Sequence, residues 1–194
     1  MESDFLQSPP EEKISIGSHI VDFIQTLVVF LAIGSFIYWQ IAQPHKVSGS
    51  SMFPNFHDGD YIITDKLSFK LQQPKRFDVV VFKNPRDKSQ DFIKRIIGLP
   101  GDKVKIANSG VVLNGSLLGE PYLKSDVRTD PGPFLQEDEE ITVPVNSLVV
   151  LGDNRSRSSD SRDWGFITKD EVIGKVFFRY WPKDSIGLYP AANY

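Results

Sequence analysis

An uncharged apolar run constrains this chain more than any other feature of its sequence. The run covers residues 23–43 and reads FIQTLVVFLAIGSFIYWQIAQ. A helix rises ~1.5 Å per residue, so ~20 residues cross the ~30 Å hydrocarbon core of a bilayer. Tyr38 and Trp39 lie near the end of the run, where interfacial aromatic side chains are common. The run therefore predicts a transmembrane anchor at residues 19–43, preceded by an N-terminal tail at 1–18.

Two other interpretations of the run compete with a membrane span. A secretory signal peptide would have a basic leader and a shorter apolar core. In this leader Lys13 alone stands against the acidic residues Glu2, Asp4, Glu11 and Glu12. A buried core helix is the second alternative, but an apolar run of this length without a charge is unusual there. The flanking charges, Lys13 and Lys46, do not determine the orientation of a span.

The composition excludes several kinds of chemistry. The chain has 194 residues, with 22 Lys and Arg against 25 Asp and Glu. The net charge of -3 gives no electrostatic pattern for nucleic acid, so we expect no nucleic-acid partner. Cysteine is absent, which excludes disulfides, thiolate metal sites and a cysteine nucleophile. The 3 histidines are too few and too scattered to predict a zinc site.

The sequence after the apolar run is typical of a β domain. Short β-branched and aromatic runs alternate with turn residues, which favours a mostly antiparallel β fold over residues 44–194. The predicted strands are Tyr61–Asp65, 77–82, 92–97, Lys103–Ala107, 111–113, Ser147–Leu151 and 176–180. A capping-box pattern at Thr168 and Glu171, with Gly174 beyond it, predicts a short helix over 169–173. The proline-rich and acidic segment 120–145 is predicted to run over the surface.

The segment directly after the anchor contains a candidate nucleophile. Residues 47–54 read VSGSSMFP, so Ser51 lies among small residues a short distance past the predicted bilayer. A serine hydroxyl on such an open loop can act as a nucleophile if a base lies nearby. A flexible Gly/Ser linker between anchor and domain is the competing interpretation, and composition alone favours it.

A second segment contains a candidate base. Side chains alternate faces in a strand, so Lys94 shares its face with Phe92 and Ile96. A lysine on an apolar face usually extends its amine to solvent. If the amine is instead buried, desolvation lowers its pKa, and a drop of about two units makes it roughly half neutral near pH 8. A neutral amine can accept a proton from a serine.

A third segment, residues 151–165, follows an apolar strand and concentrates serines among charges. A solvated polar loop is one interpretation. Alternatively, its acids and arginines pair locally and stiffen a loop that holds one hydroxyl in place. The segment alone does not decide between the two.

Together the three segments resemble the type I signal peptidases, which are membrane-anchored serine proteases with a Ser-Lys dyad. The likeness covers residues 47–182, through GSSMFP, FIKRIIGLPGD and GDNRSRSSDSRDWG. It implies that Ser51, directly before Met52, is the nucleophile and that Lys94 is the general base. It implies that the hydroxyl of Ser158 orients the lysine amine. It also implies that four charged residues pair to brace the site: Arg95, Asp153, Asp160 and Arg162.

The resemblance implies further site residues and shows two departures. The implied substrate pocket is formed by Met52, Phe56, Phe92 and Ile93. Phe56 stands where the family commonly has leucine, in Pro54-Asn55-Phe56 instead of Pro-Thr-Leu, which puts the size of the pocket in question. The implied oxyanion hole lies at Ser51 and Gly49. Some relatives have a serine in place of Gly49, so backbone N–H groups, starting with that of Ser51, would carry most of the task here, either alone or with a neighbouring hydroxyl.

The implied function is removal of signal peptides from exported preproteins after small-x-small motifs, typically Ala-x-Ala. The mechanism needs no cofactor and no metal. The implied partners are preprotein signal peptides and the lipid bilayer. The short single-span form is similar to cyanobacterial and plastid members, so the implied location is the extracytoplasmic side of the plasma membrane or of a thylakoid membrane.

Two rival functions remain at this stage. A self-cleaving Ser-Lys repressor-type protease shares the Ser-Met nucleophile, but this chain has no Ala-Gly or Cys-Gly bond to cleave and no space for a DNA-binding domain before residue 47. A non-catalytic membrane-tethered β module is the rival from another class. It predicts that Ser51→Ala and Lys94→Met leave the function unchanged.

Overall fold

The structure is a computed structural model that describes residues 16–189. The chain divides into two units, Met1–Tyr38 and Trp39–Tyr194. Of the N-terminal tail predicted at 1–18, residues 1–15 lie outside the described part.

Most of the apolar run forms one helix, and its last two residues, Ala42 and Gln43, begin the first strand of the second unit. Helix α1 covers Ile16–Gln40, and its window His19–Tyr38 has a mean hydropathy of 2.2. This window is long and apolar enough to cross a membrane, and none of it is buried. A soluble core helix would bury such side chains, so the exposure favours the predicted span over that alternative.

The second unit is built from antiparallel strands. The strands are β1 (Ala42–Lys46), β2 (Tyr61–Asp65), β3 (Val79–Lys83), β4 (Asp91–Gly98), β5 (Lys103–Ala107), β6 (Gly110–Leu113), β7 (Ser116–Leu117), β8 (Ile141–Thr142), β9 (Ser147–Leu151), β10 (Ile167–Thr168), β11 (Val172–Trp181) and β12 (Gly187–Leu188). Two short helices accompany them, α2 (Lys66–Leu71) and α3 (Ser161–Trp164). The mostly antiparallel β class is confirmed.

The strands form two sheets. The larger has the order β1-β2-β11-β3-β4-β9-β10, with β12 added on β11, and the smaller has the order β7-β6-β5-β8. Each strand pairing in these sheets is antiparallel. Strand β4 lies near the centre of the larger sheet, between β3 and β9. Strand β4 pairs with β3 over Asp91–Arg95 and with β9 over Arg95–Gly98, so pairing on one side or the other holds its whole length in place.

An apolar cluster supports the loop between β1 and β2. It contains Val47, Met52, Phe56, Ile62, Val79, Val81, Ile93 and Val176. Ile93 of β4 and Met52 of the loop belong to the same cluster, so packing fixes the loop against the central strand.

The helix predicted over 169–173 is wrong in type and extent. The capping box between Thr168 and Glu171 is present, but it begins only a 3-10 turn, Lys169–Glu171. Val172 already pairs with Phe82 as the first residue of β11. Gly174 lies inside this strand, where a Cβ would come within 2.8 Å of the Asp65 carbonyl oxygen. Tertiary pairing of a β-branched residue therefore ended the helix after one turn.

Segment 120–145 runs mostly over the surface, as its prolines and acidic residues predicted, but a few of its residues are buried. Tyr122, Leu135 and Val143 lie in a core cluster with residues of β5, β6 and β9, and Ile141–Thr142 form β8. These apolar side chains cover the smaller sheet, because that sheet has an apolar face to bury.

Candidate active site

Ser51 and Lys94 meet although they come from different parts of the fold. Ser51 lies in the loop between β1 and β2, and Lys94 lies in the middle of β4. The lysine Nζ donates a hydrogen bond of 2.9 Å to the serine Oγ. A nucleophile and a base within hydrogen-bond reach is the geometry that covalent catalysis requires.

The environment of Lys94 is apolar, and its side chain is almost completely buried. The residue is 3% exposed, and its Nζ lies 5.0 Å from the centroid of the Phe92 ring. Its second hydrogen bond goes to the Ile93 carbonyl oxygen at 3.0 Å. Burial lowers the pKa of Lys94 to about 8, although the carboxylates of Asp160 and Asp153 oppose the shift. The alternative in which the amine extends outward is wrong.

Two buried ion pairs surround the dyad. Arg95 donates from Nε and Nη2 to the two carboxylate oxygens of Asp153, at 2.8 and 2.6 Å. Arg162 donates from Nε and Nη2 to the two oxygens of Asp160, at 2.8 and 2.9 Å. Asp160 also accepts from the Gly152 N–H at 3.0 Å. The structure thus pairs Arg95 with Asp153 and Arg162 with Asp160, whereas the resemblance did not specify the partners, and fork-to-carboxylate pairs hold the loop after β9 rigidly.

The backbone N–H groups of Gly49 and Ser51 differ in whether they donate a hydrogen bond within the described residues. Within residues 16–189 the Ser51 N–H has no hydrogen-bond acceptor. The Gly49 N–H donates to Oδ1 of Asp58 at 2.8 Å, in a backbone conformation with φ of +87°. The Gly49 N–H is therefore committed to the loop, whereas the Ser51 N–H is free to donate to an oxyanion.

Ser158 lies close to the dyad without contacting it by a hydrogen bond. Its Oγ is buried and has no hydrogen-bond partner among the described residues. A Cβ placed on Gly152 would come within 2.1 Å of that Oγ and 2.5 Å of the Ser51 carbonyl oxygen. The bond from Ser158 to the lysine amine that the resemblance implied is not formed in this structure.

A cleft of about 300 Å³ opens beside the dyad. It is lined by His45, Lys46, Val47, Ser48, Gly49, Ser50, Ser51, Ile62, Val81, Asp91, Phe92, Ile93, Lys94, Arg157 and Ser159. Phe92 and Ile93 lie where the sequence placed them. Met52 and Phe56 do not line the cleft, because both are fully buried in the cluster below it. The ring of Phe56 packs instead on that of Tyr189, 4.6 Å between centroids.

Three residues missed by the sequence interpretation contact this scaffold. Nδ2 of Asn55 donates to Asp153 at 2.8 Å, and the Tyr189 hydroxyl accepts from Arg95 at 2.8 Å. Asn154 donates to the carbonyl oxygens of both Ser50 and Ser51. In the sequence, Asn55 stands out only as a departure from the family motif. Tyr189 is 94 positions from Arg95, and no local pattern in the sequence could have indicated that contact.

The arrangement can perform acyl transfer. It combines a hydroxyl nucleophile, a buried amine whose pKa is near 8, an unused N–H and an open cleft. A buried amine of this kind can accept the serine proton near neutral pH, and none of these residues requires a metal to do so.

Comparisons with known proteins agree with this chemistry. The family described as "Signal peptidase, peptidase S26" matches residues 20–181. The "Probable signal peptidase I-2" of Synechocystis sp. is 38% identical over 189 residues, which cover 94% of this chain and 80% of that protein. The "Signal peptidase I" of Leptolyngbya laminosa is 34% identical and covers 97% of this chain and 95% of its own length. The "Signal peptidase I" of Bacillus caldolyticus is 41% identical over 145 residues, 71% of this chain and 79% of that protein.

Proposed function

We propose a Ser-Lys mechanism for this chain, which belongs to the signal peptidase family, peptidase S26, and is a membrane-bound serine endopeptidase that removes signal peptides. Ser51 is the nucleophile and Lys94 is the general base. The observation that carries this assignment is the hydrogen bond of 2.9 Å between Oγ and the Nζ of an almost completely buried lysine.

The first half of the reaction forms an acyl-enzyme. Neutral Lys94 accepts the Ser51 hydroxyl proton while Oγ attacks the scissile carbonyl carbon. The resulting oxyanion receives a hydrogen bond from the Ser51 N–H. The Lys94 ammonium then gives its proton to the leaving amine, and the peptide bond breaks. The mature protein departs, and the signal peptide remains as an ester on Ser51.

The second half regenerates the enzyme. A water molecule takes the place of the leaving amine, and Lys94 accepts one of its protons as the water attacks the ester carbonyl. Collapse of the second tetrahedral intermediate returns the proton to the Ser51 oxygen and releases the signal peptide. Lys94 thus alternates between base and acid, which is the role that histidine has in a Ser-His-Asp triad.

The substrate is proposed to be a preprotein with small residues at alternate positions before the cut, typically Ala-x-Ala. An extended peptide beside β4 presents every second side chain to the same face. The apolar side chains of Phe92 and Ile93 line the cleft of about 300 Å³ at this strand. The side chains that face this apolar lining are proposed to be small, as in Ala-x-Ala.

The remaining implied residues have supporting roles in this proposal. Ser158 is proposed to orient the lysine amine once the hydroxyl rotates toward it, because its Oγ is buried without another partner among the described residues. Arg95 with Asp153 and Arg162 with Asp160 are proposed to brace the loops that carry the dyad.

The membrane arrangement is also part of the proposal. Residues 19–43 anchor the chain in a lipid bilayer, and residues 44–194 form the catalytic domain. The catalytic domain faces the extracytoplasmic side, where cleavage sites of exported preproteins emerge, at the plasma membrane or a thylakoid membrane. A reporter fused after Tyr194 that remained on the cytoplasmic side would contradict this orientation.

The proposal is tested by cleavage of a purified preprotein that carries an Ala-x-Ala site. Detergent-solubilised full-length wild type, Ser51→Ala and Lys94→Met are compared, with Ser125→Ala as the matched control because Ser125 is an exposed serine that does not line the cleft. We expect wild type and Ser125→Ala to cut and the two dyad variants to lose activity by at least ~10²-fold, the lower end for a general base.

Two outcomes would contradict the assignment. Retained activity in Lys94→Met means that another group is the base, and retained activity in Ser51→Ala means that another residue is the nucleophile. A second substrate with leucine at the residue before the cut tests the specificity. It should be cut much more slowly than the alanine substrate, and equal rates would contradict the small-x-small preference.

A further inference from the structure

Asn154 holds the two peptide units on either side of the nucleophile. Its side-chain Nδ2 donates to the Ser50 carbonyl oxygen at 3.0 Å. Its backbone N–H donates to the Ser51 carbonyl oxygen at 2.9 Å. The orientation of the amide group is consistent with its surroundings, because the Ser156 hydroxyl donates to Asn154 Oδ1 at 3.3 Å. One residue of the loop after β9 thus fixes both planes that meet at the Ser51 Cα.

The direction of the Ser51 N–H follows from the first of these bonds. The peptide bond between Ser50 and Ser51 is not among the cis bonds of the described chain. In a trans peptide unit the C=O and the N–H point in opposite directions. The carbonyl of Ser50 points toward Asn154, which does not line the cleft, while Ser51 does. The Ser51 N–H therefore points away from the Asn154 side chain.

The Ser51 N–H is the oxyanion donor that the nucleophile itself supplies. The neighbouring Gly49 has no side-chain hydroxyl, and its own N–H is bonded to Asp58. Among residues 16–189 the Ser51 N–H has no acceptor of its own. A donor for an oxyanion is effective when it is held in place before the charge develops, because no reorganisation is then needed in the transition state.

We infer that the Asn154 side chain is a positioning residue that fixes the Ser51 N–H as the oxyanion donor, by holding the Ser50 carbonyl at the opposite end of the same peptide unit. This inference rests on the proposed function of Ser51. Asn154 itself does not touch the substrate. The Phe53 N–H also donates to the Ser50 carbonyl, at 3.1 Å, so the peptide unit keeps one restraint when Asn154 is changed.

The expected effect is a loss of turnover without a loss of substrate binding. Removing one oxyanion donor outright costs about 10²–10³ in kcat. Loosening the donor costs less, so we expect kcat to fall about 10- to 100-fold in Asn154→Ala, with KM within about threefold of wild type. The acid limb of the pH profile should not move, because Asn154→Ala changes no charge near Lys94.

The experiment compares full-length wild type, Asn154→Ala and Asn154→Asp in detergent. Asn154→Asp keeps the size of the side chain but replaces the donor with an acceptor that repels the Ser50 carbonyl, so it should lose at least as much kcat as Asn154→Ala. Asn108→Asp is the matched control, because Asn108 is an exposed residue in the turn between β5 and β6. A peptide aldehyde ending in alanine is the second probe, since its adduct with a serine hydroxyl places an oxygen in the oxyanion site.

A positioning role predicts that the aldehyde binds about 10- to 100-fold more weakly to both Asn154 variants, in parallel with kcat. Wild-type kcat and aldehyde affinity in Asn154→Ala would overturn the inference. A rise in KM that accounts for the whole loss in kcat/KM would also overturn the inference, because that result indicates a purely structural or binding role for Asn154. If instead Ser51→Ala remains active, the proposed nucleophile is wrong. If Ser51→Ala is inactive while both Asn154 variants behave as wild type, only the inference about Asn154 fails.

Discussion

Lys94 and Ser51, 43 positions apart in the chain, are joined by a hydrogen bond of 2.9 Å between Nζ and Oγ. The lysine is held by a central strand and the serine by a loop that packs into the apolar cluster below. Neither side chain therefore needs to move far to transfer a proton. The arrangement requires a buried amine, which is unfavourable for the fold while the amine is charged.

Lys94 should destabilise the fold at neutral pH. Burial lowers its pKa from 10.5 to about 8, so the unfolded chain binds the proton more strongly than the folded chain. The destabilisation is fully present below pH 8 and disappears as the pH rises to about 10.5. We expect Lys94→Met to raise the free energy of unfolding by about 3 kcal/mol at pH 7 and by much less at pH 10.5.

Urea unfolding of the detergent-solubilised chain at the two pH values measures this difference. Lys70→Met is the control, because Lys70 is exposed and should give no pH-dependent gain. An equal effect of Lys94→Met at both pH values would show that the lysine is not buried as a shifted amine.

Gly152 should tolerate no side chain. A Cβ there would lie 2.5 Å from the Ser51 carbonyl oxygen and 2.1 Å from Ser158 Oγ, so the two loops must separate. We expect Gly152→Ala to lose most activity because the separation displaces Ser51 from Lys94. Gly119→Ala, where nothing lies within 4 Å, is the matched control and should cut at the wild-type rate. Cleavage rates of the two variants measure the effect, and equal rates would contradict the close approach of the loops.

The buried pair Arg95–Asp153 should behave differently from a surface pair. Both side chains are almost fully buried, at 2% and 1% exposure, so removing one partner leaves an uncompensated charge. We expect Arg95→Met to lower the free energy of unfolding by about 3–5 kcal/mol. The double variant with Arg95→Met and Asp153→Leu should lose less free energy of unfolding than the sum of the losses in the two single variants.

Lys103 and Glu140, an exposed pair at 3.3 Å, provide the matched control. A double-mutant cycle on that pair should give a coupling of no more than about 1 kcal/mol. If the two cycles give equal coupling energies, burial does not decide the strength of the Arg95–Asp153 pair.

Ser158→Ala should lower the catalytic rate without lowering the stability of the fold. The hydroxyl is buried and has no partner within residues 16–189, so its removal should leave the unfolding midpoint unchanged or slightly raised. If the hydroxyl orients the lysine amine during the reaction, kcat should nevertheless fall by about tenfold. Thermal unfolding and steady-state kinetics on the same preparation measure both quantities. Full activity in Ser158→Ala would remove Ser158 from the site.

The sequence predicted the bounds of three five-residue strands that directly follow turn residues such as Asp and Asn. Tyr61–Asp65, Lys103–Ala107 and Ser147–Leu151 occur with the predicted bounds. The prediction was wrong at 169–173, where pairing with β3 overrides the local helix signal. Helix α2 was missed although Asp65, which accepts from the Ser68 N–H at 2.9 Å, is a recognisable N-cap residue.

The candidate site could be predicted in part, because its motifs are short and ordered along the chain. The motifs could not predict how deeply each residue is buried. Met52 and Phe56 are buried below the cleft rather than lining it. The contacts of Tyr189 with Arg95 and of Asn154 with Ser50 join positions 94 and 104 apart, and only the folded arrangement of β4, β9 and β12 brings them together.

The most direct test of the account is the pH dependence of kcat/KM for cleavage of an Ala-x-Ala preprotein by the full-length wild type between pH 6 and 10. This ratio reports the pKa values of the free enzyme. Lys94 predicts an acid limb with a midpoint at about 8, and the midpoint should stay there in His45→Gln, which removes the histidine of the cleft. A midpoint near the ordinary lysine value, or one that moves in His45→Gln, would contradict Lys94 as the general base.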